Sequence, residues 1–82
     1  MNPTDEKLKA ETIKWTEKIE PIIENLSAAD ENGQAMLTNM NAYINDSKHF
    51  LGREDYIRSF EAIIWAWAIY ENCKELGVIN EQ

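Results

Sequence analysis

The chain has 82 residues, and its 15 Asp and Glu outnumber its 8 Lys and Arg, giving a net charge of −7. That balance argues against non-specific binding to nucleic acid or to anionic membranes. With 44% hydrophobic residues, three Trp, three Tyr and two Phe, the chain is not a disordered tail, and its length fits one domain with a marginal core.

Only three Gly and two Pro interrupt the chain, which favours helices throughout. The single Cys73 excludes an intrachain disulfide and fits a reducing interior. The segment MNPTDEKLKAE lacks the apolar run of a signal peptide. The expected location is therefore the cytoplasm.

The first helix is expected over about 3–26. Asn2, Pro3 and Asp5 make a capping side chain, a first-position proline and a first-turn acid. Leu8, Thr12, Trp15, Ile19, Ile22 and Leu26 then repeat at alternating spacings of four and three, a narrow seam with Ile23 at its edge. Lys and Glu fill the other face, and Ile13 points outward as a lone surface residue. Pro21 removes one ladder bond, and the continuing seam predicts a kink there rather than a stop.

Ser27–Gly33, SAADENG, forms the first connection, with either Ser27 or Asp30 as the next cap. The second helix is expected over about 30–51, its seam running from Met36 and Met40 through Tyr43, Ile44 and Ser47 to Phe50. Gly52 is expected to end it in a left-handed conformation. The short link Gly52-Arg53-Glu54 then makes helices two and three antiparallel neighbours.

The third helix, about 55–76, is the most apolar. Asp55 is its expected N-cap and Gly77 its terminator, with Val78 or Ile79 folding back on the last turn. Ala62–Tyr70 carries no charge, yet nine residues are too few to span a bilayer. At 100° per residue, Trp67, Tyr56, Ile63, Ile64, Ile57 and Tyr70 fall within about 80° of Phe60. Ser59, Ala66, Cys73, Ala62, Ile69, Leu76 and Trp65 continue the arc, leaving a polar wedge at Glu61 and Asn72 beside Arg58. Two helices do not cover so wide an arc. A second copy or a protein partner is expected to cover the remainder.

Chemistry is sparse. His49, the only histidine, follows Asp46 by three residues, but the pair lies opposite the apolar seam and lacks further ligands for a divalent site. Glu54 and Asp55 are explained as acids favoured by a helix N-terminus. No nucleophile has a base beside it in sequence, and the glycines are isolated, so no phosphate-binding loop exists. Arg58 and Lys74 are expected to be surface charges, and Cys73 a packed thiol. Trp67, Phe60, Tyr56 and Trp15 are expected in the core. Trp65 borders the polar wedge and fits either core or interface.

These residues carry a resemblance. Tyr43-Ile-Asn-Asp46-Ser-Lys-His-Phe50-Leu51, Asp55-Tyr56-Ile57-Arg58 with Glu61-Ala62, Trp65-Ala66-Trp67 and Leu76-Gly77-Val78-Ile79 resemble an archaeal family catalogued as domain of unknown function 357. The likeness spans about residues 36–79. Two residues separate Gly52 from Asp55 where the family has Gly-Asp, and Ser59, Trp65, Trp67 and Glu71 replace its Ala, two Tyr and Asp. The resemblance implies a three-helix bundle of the archaeal cytoplasm, sometimes attached to nucleotidyltransferase-like domains, with no known activity. A weaker likeness to helical nucleotide-binding-associated RNase domains lacks their Arg-x4–6-His motif, because Arg53 and Arg58 both follow His49.

The expectation is an all-α, three-helix antiparallel bundle with the third helix most buried, and a non-catalytic homo-oligomer or protein-interaction module. Its candidate surface is Trp65, Ala62, Ile69, Cys73 and Arg58, with no catalytic residue, cofactor, metal, nucleic acid or membrane. The alternative is a nucleotide-like ligand held near Tyr56, Arg58 and Trp65, in an accessory domain of a nucleotidyltransferase-type enzyme.

Overall fold

A computed structural model describes residues 1–81. Helix α1 spans Pro3–Glu24, and the Asn2 side chain accepts from the Asp5 amide at 2.7 Å as its cap. Pro21 lies inside α1 and does not stop it. Leu26, expected as the last seam residue, instead begins a strand.

That strand, β1 (Leu26–Ala28), pairs antiparallel with β2 (Ile79–Glu81), placing Leu26 opposite Glu81 and Ala28 opposite Ile79. Both replace segments expected without strand structure. Three-residue strands are too short to show the alternation that marks a strand in sequence. The Ala29 amide donates to the Val78 carbonyl at 2.9 Å, extending the clip by one bond.

Helix α2 spans Glu31–Gly52 and is capped by Asp30, whose side chain accepts from the Gly33 amide at 2.8 Å. Gly33 therefore belongs to the helix and not to the connection. It is buried, and a Cβ there would lie 1.9 Å from the Val78 carbonyl oxygen.

The end of α2 also differs from expectation. Gly52 is its last helical residue, and Glu54 takes the left-handed conformation at φ 61°. The amides of Glu54 and Asp55 reach back to the carbonyls of Leu51 and Phe50. Helix α3 (Tyr56–Leu76) ends the same way, with Gly77 at φ 69° and the Gly77 and Val78 amides bonded to the Lys74 and Cys73 carbonyls. The two turns share a hydrogen-bond pattern, but only the second uses glycine.

Asp55 caps α3 through the Arg58 amide at 3.2 Å. The helices run up, down and up. Trp67 Nε1 donates to the Trp15 carbonyl at 3.1 Å and joins α1 to a parallel α3, while Lys48 pairs with Glu20 across α1 and α2 at 2.7 Å. Seven α3 residues are buried, against four in α2 and two in α1. The third helix is thus the most buried, as expected.

The core centres on Ile19, Met40, Ile44 and Ile63, closed at one end by Ala66, Tyr70, Cys73 and Ile79. Trp15 and Trp67 meet edge to face at 5.5 Å but stay half-buried. Between α2 and α3, fully buried Ser47 and Ser59 exchange bonds: each hydroxyl donates to the other's carbonyl, at 2.8 and 2.7 Å. Tyr70 donates to the Glu81 carboxylate and ties β2 to α3. Burial, then the Glu81 hydrogen bond, then the charges of Glu81 and Glu71 push this phenol up to about 12. Burial likewise raises the Cys73 thiol.

No helix among the described residues is long and apolar enough to cross a membrane.

Candidate interaction surface

The inward side of α3 is set by its packing against α2. The buried stripe is Ser59, Ala62, Ala66 and Cys73, with Tyr56, Ile63 and Tyr70 along one flank. Small residues let the α2 backbone approach closely enough for the serine pair to form.

Several of the largest apolar residues consequently point outward. Ile57 is 68% exposed, Trp65 54% and Ile64 42%. Ile57 and Ile64 share the Phe60-centred sector with the expected core residues Tyr56 and Trp67, yet face outward. The helix is rotated so that Phe60 sits on the boundary, half-buried.

The predicted surface residues therefore separate. Trp65 and Arg58 are exposed, Ile69 is half-buried at the edge of the face, and Ala62 and Cys73 lie in the core. A small side chain on the arc fills a contact between helices and does not present a surface. Tyr56 is also buried, so the expected grouping of Tyr56, Arg58 and Trp65 does not form. The structure adds Ile57, Ile64 and Leu8, together with Tyr43 and Met36 from α2.

Trp65 stands at the centre. Its ring stacks on Tyr43 with centroids 6.2 Å apart and planes 18° from parallel. On the α1 side it borders an apolar groove lined by Leu8, Ile57, Phe60, Glu61 and Ile64. On the α2 side it borders one depression with Met36, Tyr43 and Ile69, and another with Asp46, Phe50, Arg58 and Glu61. An apolar band thus crosses all three helices, rimmed by polar groups, as interfaces commonly are.

The depression beside Arg58 has a volume of about 430 Å³, within the range of small-ligand sites. Its charges do not suit an anion, since Asp46 and Glu61 line it with one guanidinium. That guanidinium already pairs with Asp55 at 3.7 Å and lies over the Phe50 ring at 5.8 Å. His49 is exposed and packs edge-on against Phe50. No group of three or more His, Cys, Asp or Glu among the described residues is placed to hold a metal ion.

Two comparisons bear on this geometry. Residues 10–79 match the family model described as Protein of unknown function (DUF357). The crystal structure of protein AF1782 from Archaeoglobus fulgidus, assigned to the same family, superposes with a TM-score of 0.88 at 38% identity. The alignment covers 96% of this chain and 99% of that one. No curated protein matches the sequence.

Proposed function

The chain belongs to the DUF357 family, whose description names no activity, and from its own surface we propose that it is a non-catalytic interaction module docking through the outward face of α3. The observation that carries this reading is the exposure of Ile57, Ile64 and Trp65 side by side on one helix. Scattered apolar residues are ordinary on a surface, whereas a continuous patch rimmed by polar groups marks a contact site. Burying each such side chain fully is worth about 1.5–3 kcal/mol relative to leaving it in water.

The buried thiol of Cys73 and the absence of a disulfide suit a reducing cytoplasm, where we place the protein. A nucleotide-binding role is the weaker alternative, because Asp46 and Glu61 would meet the phosphates.

The test compares wild type with Trp65→Glu by sedimentation equilibrium and as baits in native cytoplasmic extract. The expected result is association by wild type that the variant loses, with identical far-ultraviolet circular dichroism. Identical association by both proteins would remove the α3 face from consideration.

A further inference from the structure

The chain's own cations reveal what the α3 face lacks. Lys14 and Lys18 lie over the Trp15 ring at 5.1 and 4.8 Å, Arg58 over Phe50 at 5.8 Å, and Lys74 over Tyr70 at 5.2 Å. Among the described residues, no such cation covers Trp65, which is more exposed than any of those rings.

The two carboxylates beside it share their depression with Arg58, whose guanidinium is paired elsewhere, with Asp55. Lys14, Lys48, Arg58 and Lys74 pair with Glu11, Glu20, Asp55 and Glu71, and neither Asp46 nor Glu61 has an ion-pair partner among the described residues. An indole with one face on Tyr43 and no cation on the other, near two acids, is complementary to a guanidinium, which stacks on indole and donates a planar pair of hydrogen bonds to a carboxylate.

Resting on the docking reading of α3, we propose that the occupant of this face is an arginine-bearing apolar segment of a partner protein. Its guanidinium covers Trp65 between Asp46 and Glu61, and its neighbouring apolar side chains fill the groove of Leu8, Ile57 and Ile64. A net charge of −7 draws such a basic partner in.

A second copy fits less well. It would set one chain's Asp46 and Glu61 in the acidic field of the other.

The test uses the full chain and a labelled, blocked peptide of Arg-Leu-Leu repeats, followed by fluorescence anisotropy. The same peptide with glutamine for arginine is the comparison. Wild type should prefer the arginine peptide by about tenfold or more, a difference that shrinks in high salt. Trp65→Ala, and separately Asp46→Asn with Glu61→Gln, should each weaken binding about tenfold. Glu17→Gln with Glu24→Gln, an equal charge change elsewhere, should leave it within about twofold. All five substituted residues are exposed, and circular dichroism checks the fold.

Equal binding of both peptides, lost in Trp65→Ala, would overturn the basic partner while keeping the docking face. So would a wild-type dimer that Trp65→Glu dissolves. Equal losses from the two carboxylate pairs would reduce the effect to net charge and overturn the proposal. Binding of neither peptide by a monomeric wild type would overturn this proposal, and unchanged bait behaviour of Trp65→Glu would overturn the docking face with it.

Discussion

The two faces of α3 differ in what covers them. Its inward stripe is Ser59, Ala62, Ala66 and Cys73, all between 0 and 6% exposed, while its outward face carries Ile57, Ile64 and Trp65 at 42 to 68%. The inward stripe is small where α2 comes close enough for Ser47 and Ser59 to exchange hydrogen bonds, with the larger buried residues Tyr56, Ile63 and Tyr70 along its flank. The outward face packs only in part, with Trp65 on Tyr43 and with Ile57 and Ile64 beside Leu8. In this bundle, burial follows the closeness of the neighbouring backbone, and bulk left outside is available for another molecule.

The strongest way to break this contrast is to place bulk on the inward face. Ala66 is fully buried. Ala66→Phe has no space without separating α2 from α3, and overpacking of this kind costs about 1–3 kcal/mol, occasionally more. In a domain of this size, that is a large part of the total stability. Urea unfolding should show a midpoint shifted far down or no cooperative transition. A wild-type midpoint would mean that the stripe is loosely packed.

Gly33 makes the same point at the end of the bundle. A methyl group there meets the Val78 carbonyl oxygen at 1.9 Å, and backbone must move to admit it. Gly33→Ala gains helix propensity of about 1 kcal/mol, yet the clash should outweigh it and leave a net loss of about 1–2 kcal/mol. Amide exchange should quicken first at Ala29, whose bond to Val78 is the one displaced.

Gly33 also shows where the sequence stopped being informative. Helix caps, the three helices and their up–down–up order were legible, because Asn2, Asp55 and Gly77 act locally and the seams are periodic. Among Gly-containing turn signals, SAADENG could not reveal that Gly33 serves a contact with Val78, far away in the chain. The left-handed turn was assigned to Gly52 because glycine adopts it freely, but the bond pattern places it at Glu54. For the surface, the wide apolar arc correctly indicated excess hydrophobicity on α3. Its inward direction was not legible, since a helical wheel gives relative angles and α2 sets the zero. Trp65 and Arg58 stood on either orientation, whereas Ala62 and Cys73 did not.

Tyr70 offers a perturbation of the inward side that is adjustable by pH. Its phenol ionises near 10 in the unfolded chain and near 12 in the folded one. The contribution is fully present below pH 10 and is lost as pH rises through about 12, amounting to roughly 2.7 kcal/mol. Wild-type stability should therefore fall more steeply between pH 10 and 12 than that of Tyr70→Phe, the difference removing other groups that titrate there. Parallel curves would mean that the phenol is free to ionise in the folded protein.

The smallest effect on stability should come from emptying the outward face. Ile57 and Ile64 leave most of their surface or a large share of it in water, at 68 and 42% exposure. Replacing both with glutamine loses little packing and gains slightly in helix propensity. The thermal midpoint should accordingly move by no more than about 0.5 kcal/mol in equivalent free energy. A solvent-exposed isoleucine pair retained only for folding would show a clear loss instead. Near-neutral stability joined to weakened association would separate the roles of the two faces, because the same helix would then lose its partner without losing its fold.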